Sequence, residues 1–276
     1  MPPPTTLDDP RLEANRRRWD ELVPIHAGSR FYDVPRFLRG GCALLPIEVA
    51  AVGDPAGKSL CHLQCHFGLD TLSWARRGAR VTGVDFSGAA IAKARELAAE
   101  AGIDARFVES EVTRAPEALE GERFDLVFTS WGVLGWLPDL DAWGRAVAAL
   151  LAPNGVFHLA ELHPTALLFD GSELARERTY GYFREPEPIV ENGAGTYADR
   201  SAEVAATTRF SWIFELGQVV NALLGAGLVL ERLEEQDATC CAIIEGMIEG
   251  EDRLWRLPPG GPSLPLSFTL RARRPG

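Results

Sequence analysis

Leu60–Gly68 reads L-C-H-L-Q-C-H-F-G, an apolar run ending in a glycine turn just where a helical pattern opens. A turn of this kind brings backbone amides and a helix start up against a ligand, and so makes a cofactor cradle. The next apolar run, Ala79–Val84 (A-R-V-T-G-V), delivers Asp85 to a strand tip. One carboxylate there can accept hydrogen bonds from both hydroxyls of a ribose. The pair of features predicts a nucleoside site. Asp85 could instead cap the helix that follows, but Ser87, directly before Gly88, is the better-placed cap.

Outward from this point the alternation is regular. Strands are predicted at Ser59–Leu63, Ala79–Val84, Ala105–Val108, Phe124–Phe128 and Val156–Glu161, with helices at Asp70–Arg77, Gly88–Ala101 and Leu140–Leu151. A-P-N-G (Ala152–Gly155) stops the last helix. Buried apolar strands alternating with helices imply an α/β fold with a doubly wound, mostly parallel sheet and helices on both faces. Beyond His163 the pattern changes: Pro164–Ala198 carries prolines, glycines and aromatics without helical period, and Glu203–Phe214 alternates like a solvent-facing strand. A helix at Leu216–Gly225, a strand at Leu228–Glu234, a mixed loop through Pro265 and a strand at Leu266–Arg273 close the chain. The final two strands lack a helix between them, which makes the closing strand antiparallel. Upstream, Leu12–Leu22 has helical spacing with Trp19 and Leu22 on one face, His26–Asp33 reads as a polar, aromatic loop, and Val34–Val52 resumes a helical pattern broken at Pro46.

The chain has 276 residues, 46% of them hydrophobic, enough for one large α/β core with elaborations. A formal charge of -11 opposes binding to a phosphate backbone, and nucleic acid is not expected as a partner. The proline-rich start M-P-P-P-T-T lacks the features of a signal peptide, no apolar run is long enough to span a bilayer, and the five cysteines are odd in number. These observations predict a cytoplasmic protein that does not engage a membrane. Cys61 and Cys65 lie at neither zinc-ribbon nor redox spacing and read as packing residues, so no metal is expected.

The order of motifs resembles the class I S-adenosylmethionine (SAM) dependent methyltransferases. Val84–Ser87 (V-D-F-S) is similar to the family's ribose-binding segment, and Phe107–Val112 (F-V-E-S-E-V) to its F-V-x-G-D-A segment. Phe124–Asp139 resembles the fourth-strand motif, and Leu151–Val156 (L-A-P-N-G-V) the L-x-P-G-G turn. The first motif departs from acid-x-Gly-x-Gly-x-Gly, reading His62-Leu63-Gln64-Cys65-His66-Phe67-Gly68, so Gln64 and His66 must take ordinary dihedrals or carry strain. The form L-Q-C-H-F-G-x-D-T-L-S-W-A resembles a small-molecule sub-group of the family.

The resemblance implies a Rossmann-like seven-stranded sheet with an antiparallel last strand, and SAM as cofactor with S-adenosylhomocysteine as product. It divides the chain into an amino-terminal helical flap (1–53), a SAM-binding core (54–163), an insertion forming an acceptor lid (164–213) and the end of the core sheet (214–276). It implies cofactor contacts from Leu63, Gln64, Cys65, Gly68, Asp85, Phe86, Ser110, Glu111, Val112, Ser130 and Trp131, with Glu111 facing the adenine amino group. Tyr32, Trp136 and His163 are expected to line a small-molecule acceptor pocket, with Trp19 and Phe31 on the flap over it. His163, at the tip of the fifth strand, is the expected base, and Glu161 its reserve. The other histidines have plainer readings: His62 and His66 in the cofactor turn, His158 along a strand, His26 in a flexible loop.

Methylation of oxygen or nitrogen on a metabolite or natural product is the leading reading. Its rivals are a SAM-binding cyclase or decarboxylase, a nicotinamide oxidoreductase, which G-x-G-x-x-G would mark and which this sequence lacks, and a non-enzymatic subunit. A homodimer stays open.

Overall fold

The computed structural model describes residues 9–169, 180–260 and 263–276. The proline-rich start, and the stretch 170–179 of the expected lid, lie outside the described residues. Three helices come first: α1 (Pro10–Gly28), α2 (Val34–Leu38) and α3 (Pro46–Val52). Helix α1 is longer than its apolar spacing suggests, because Pro10 occupies the first turn, where no amide is needed, and Asp9 caps it by accepting from the Arg11 amide at 2.9 Å. It takes in the stretch read as a loop around His26, which is a fully buried residue of its last turn.

The core then alternates β1 (Ser59–Leu63), α4 (Leu69–Arg76), β2 (Arg80–Asp85), α5 (Gly88–Ala101), β3 (Arg106–Glu109), α6 (Ala115–Ala118), β4 (Phe124–Ser130), α7 (Leu140–Leu150) and β5 (Leu151–Leu162). Two further pieces follow, α8 (Pro164–Leu167) and the hairpin strands β6 (Ile189–Asn192) and β7 (Thr208–Ser211), before α9 (Leu216–Gly225) and β8 (Val229–Gln236). Short strands β9 (Ala238–Thr239), β10 (Ile248–Glu249) and β11 (Trp255–Arg256) form a small sheet where the sequence predicts only a mixed loop, and β12 (Ser267–Arg273) ends the fold.

The main sheet runs β3-β2-β1-β4-β5-β12-β8, parallel except where β12 pairs antiparallel with both neighbours. The sequence-based strands and helices of the core match within a residue or two, save that A-P-N-G lies inside β5, where Leu151 already pairs with Phe124. Alternation along the strands builds two cores. Cys61, Leu63, Val127 and Phe157 face α7 and α9, while Leu60, Leu126 and Phe128 face α3 and α4. Gly144 lets α7 approach α9, since a Cβ there would stand 2.5 Å from the Ala222 carbonyl.

Helix α1 buries polar side chains alongside Leu22 and Val23. Asn15 both donates to and accepts from the backbone of Phe210, at 2.8 and 2.9 Å, as a neighbouring strand would. Arg18, 2% exposed, donates to the carbonyls of Gly193 and Ala206 (each 2.9 Å) and Gly195 (2.7 Å). Glu21 accepts the amides of Ala205 and Ala206 at 2.6 and 3.0 Å. The insertion therefore docks on α1 through its main chain, whose polar groups need partners when buried. Arg18→Ala should leave those carbonyls unpaired and cost about 3 kcal/mol. We expect Tm to drop by roughly 6–12 °C, read by thermal denaturation of the purified chain, with secondary structure retained at low temperature.

Candidate functional site

The strand order reverses between β1 and β4, and in open α/β sheets the crevice beyond the carboxyl ends at such a point takes the ligand. Five strand tips contribute here, and their residues fall into two groups: those that shape the cleft and those that hold the shape.

At the β1 tip, Gln64 (φ 55°) and His66 (φ 49°) adopt the left-handed conformation that favours glycine, and Gly68 has φ 79°. The strained reading of the altered motif is the one realised. The conformation is held by main-chain and side-chain bonds: Cys65 N–H donates to the Val84 carbonyl (3.0 Å), His66 N–H to Asp85 Oδ2 (2.8 Å) and Gln64 Nε2 to the Val133 carbonyl (3.1 Å). Gly68 can be nothing larger, because a Cβ would lie 2.7 Å from the Phe107 ring. Leu63 and Cys65 turn their side chains into the core and offer only their main chain to the edge.

Asp85 ends β2 and is buried. Besides the His66 amide it accepts the Ser87 amide at 2.9 Å, and Ser87 caps α5 as the sequence suggests. Burial, with Asp20 adding to it, pushes the Asp85 carboxyl up to about 6 against these hydrogen bonds. Phe86 follows on the same loop. The β3 tip brings Ser110, whose amide donates to the Asp85 carbonyl (2.8 Å). Glu111 accepts the Thr113 amide at 2.9 Å and the Thr113 hydroxyl, and burial raises its pKa. Val112 is a core residue.

On the β4 tip, Ser130 Oγ lies 3.4 Å from His62 Nε2 and 3.5 Å from Asp70 Oδ2. His62 stands where the family pattern has its acid. Its Nδ1 meets Thr71 Oγ1 at 2.8 Å, and burial lowers its pKa to about 3, so a neutral ring links α4 to β4. Asp70, which the sequence reading left aside, faces the same space, with its carboxyl pushed up to about 6 by burial. Trp131 (φ 54°) packs its ring by Leu45 and Leu254.

Aromatic rings gather over this loop. Trp19 meets His66 at 5.2 Å and Trp136 at 5.3 Å between centroids, both edge-on. Tyr32 packs on Phe67 (4.7 Å) and His66 (5.6 Å), and its hydroxyl bonds that of Tyr197 from the insertion. His26 is the residue sequence reasoning missed most clearly. It reaches His66 Nε2 from Nδ1 at 2.9 Å and Thr196 Oγ1 from Nε2 at 2.7 Å. The surface recess lined by Ala50, Glu231 and Arg271 is elsewhere, against α3, β8 and β12.

The two expected bases do not join this cluster of rings. Glu161 accepts the amides of Gly132 (2.5 Å), Val133 (2.9 Å), Leu134 (3.0 Å) and Leu162 (2.6 Å), which pins the loop after β4. His163 caps α8, its Nδ1 accepting the Thr165 amide at 3.0 Å, while Nε2 lies 2.9 Å from Glu235 Oε1 on β8. The lone pair a base would use is therefore already engaged by a backbone amide.

A nucleoside with a charged amino-acid tail suits this donor set. The buried Gln64 Oε1 is an acceptor at the switch point with no partner among the described residues, Asp85 is a buried carboxylate at the adjacent strand tip, and the loop between them has the glycine-like backbone of a close approach. Residues 61–157 match the family described as "Methyltransferase domain". A ubiquinone biosynthesis O-methyltransferase of Methylobacterium nodulans is 30% identical over 231 residues, covering 75% of this chain and 88% of that protein. The chain belongs to the class I SAM-dependent methyltransferases. A SAM-dependent methyltransferase of Mesorhizobium loti shares the fold with TM-score 0.56 at 23% identity, over 86% of this chain and 100% of that one. The 1,6-didemethyltoxoflavin-N1-methyltransferase of Burkholderia thailandensis, solved with S-adenosylhomocysteine, does so with TM-score 0.55 at 17% identity, over 100% and 94%. The chain is thus a SAM-dependent methyltransferase of small molecules. Among the described residues no helix is long and apolar enough to cross a membrane.

A methyltransferase that needs Asp85 ionised should lose SAM affinity in acid. With that carboxyl at about 6, affinity should be flat above pH 7 and weaken as pH falls through 6, by at most about tenfold per pH unit. Asp85→Asn should remove that acid limb and weaken binding at pH 8 by roughly 10–100-fold. Calorimetric titration with SAM across pH checks both.

Proposed function

We propose that this methyltransferase acts on a hydroxyl oxygen of a small ring-bearing acceptor. The observation that carries the reading is the wall of rings over the cofactor loop, Trp19, Tyr32, His66, Trp136 and Tyr197, drawn from the flap, the core and the insertion. Flat rings pack well against such a wall, edge-on or offset. The O-methyltransferase named above, 30% identical over 231 residues, supports oxygen over nitrogen. A net charge of -11 supports a small molecule over a polyanion.

Asp85 would hold the ribose. Ser110, Glu111 and the main chain at Val112 would hold the adenine, and Phe86 would border it. Gln64 Oε1 and the main chain at Leu63, Cys65, Ser130 and Trp131 would take the methionine half, with Gly68 giving room at the start of α4. Tyr32 and Trp136 would line the acceptor side, and residues 180–213 of the insertion would lie over it, joined to the flap by Arg18.

SAM supplies a methyl group on a sulfonium, whose neutral thioether is a good leaving group. The chain's own part is therefore to align the acceptor oxygen, keep water out and take up a proton. Glu161 serves this indirectly, holding the Gly132–Leu134 loop, and His163 ties β5 to β8. Neither needs to touch the acceptor.

Three outcomes test the proposal. In an assay of methyl transfer from SAM, catechol or another phenol should be methylated in preference to aromatic amines. Trp136→Ala should raise the acceptor KM about tenfold or more while SAM affinity stays within a few-fold. His163→Ala should keep kcat within a few-fold of wild type, whereas a loss above a hundredfold would return the base role to it.

A further inference from the structure

His26 and His66 come from α1 and from the cofactor loop, forty positions apart, and meet ring to ring at 2.9 Å. His66 is tied at both ends of its chemistry. Its amide donates to Asp85 Oδ2 at 2.8 Å, while its ring leaves the cofactor loop towards the lid. Trp19 stands edge-on to both imidazoles, at 5.7 and 5.2 Å, and Tyr32 stacks on His26 at 5.3 Å, which fixes the rotation of the rings.

Only one arrangement of protons leaves His66 Nδ1 a lone pair. His66 then carries its proton on Nε2 and donates it to His26 Nδ1, and His26 carries its own on Nε2 and donates to Thr196 Oγ1, 2.7 Å away. Both nitrogens of His26 are used, and His66 Nδ1 has no protein partner among the described residues. A clasp between α1 and the loop would need only the first of these bonds.

We propose that His66 Nδ1 takes the proton of the acceptor hydroxyl and that His26 and Thr196 relay a proton onward to solvent at the insertion loop. The proposal rests on the hydroxyl-acceptor reading above. In the step, the acceptor O–H proton passes to His66 Nδ1, the Nε2 proton of His66 to His26 Nδ1, and the Nε2 proton of His26 to Thr196, whose hydroxyl proton leaves to water. The oxygen pair forms the bond to the methyl carbon as the carbon–sulfur pair returns to sulfur. His66 is the catalytic residue here, and His26 and Thr196 are positioning residues. Burial lowers the pKa of His26 to about 4 and that of His66 well below its ordinary value, so both rings are neutral at pH 7. Rings so hard to protonate must hand the proton on, and the onward bonds permit it. The exit lies just under the surface: Thr196 is 7% exposed, and Tyr197 next to it 47%.

The test compares catechol with thiophenol as acceptors, because an aryl thiol is largely ionised near neutral pH and needs no base. In His66→Gln, kcat with catechol should fall by roughly 10²–10⁴-fold, and the ratio of catechol to thiophenol turnover by about a hundredfold or more. His26→Gln and Thr196→Val should lower the same ratio by about tenfold, with SAM affinity within a few-fold of wild type by calorimetry. Equal losses on both acceptors would overturn the relay and make the pair a packing contact. Retained catechol turnover in His66→Gln would overturn it as well. Absence of methyl transfer to any phenol by the wild-type chain would overturn the hydroxyl reading, and the relay with it. If His66→Gln does not fold, Thr196→Val decides: a catechol-to-thiophenol ratio unchanged from wild type overturns the relay.

Discussion

One buried carboxylate governs the geometry of the site. Asp85 accepts the amide of His66 on the cofactor loop and that of Ser87 at the start of α5. Both contacts continue outward. From Ser87 the next bond runs to Asp20 of α1 (2.6 Å), which also accepts the Ala89 amide at 3.2 Å. From His66 the ring leads to His26 of the same helix and then to Thr196. The β2 tip, the cofactor loop, the flap and the insertion form one closed hydrogen-bonded circuit.

Much of the core was legible because its signals are local. Strand β1 and helix α5 have the bounds their spacing predicts, and Asp85 follows from the position of a strand tip. The contacts between α1 and the insertion were not legible, and the reason is distance along the chain. Arg18 bonds carbonyls 175 to 188 positions away, and His26 meets Thr196 across 170, so no window of sequence contains both partners. Asn15, Arg18 and His26 weaken the apolar period of α1, and a periodic reading takes such residues for a solvent-facing side or a loop. Here the partner is a docked main chain, and polarity is what docking requires.

Glu161 and His163 show the opposite limit. Their position at a strand tip is read correctly, yet position does not fix a partner. A carboxylate next to a turn with free amides satisfies them, as Glu161 does for the loop after β4, and a histidine before a proline-led helix caps it. Strand tips in this fold carry both chemistry and closure. Among the described residues Gln64 Oε1 has no protein partner, whereas His163 Nδ1 is taken by the Thr165 amide.

The altered first motif has a physical logic of its own. Holding Gln64 and His66 at positive φ costs on the order of 1–3 kcal/mol each, which glycine would avoid. Glycine would also remove the bond from Gln64 to the Val133 carbonyl that bridges β1 to β4, and the imidazole that joins the loop to the flap. The chain keeps the backbone shape of a glycine loop and adds side chains to it, so strain at two residues is offset by bonds that span the switch point. Through those bonds the loop is joined to the segment after β4 and to α1 as well as to β2.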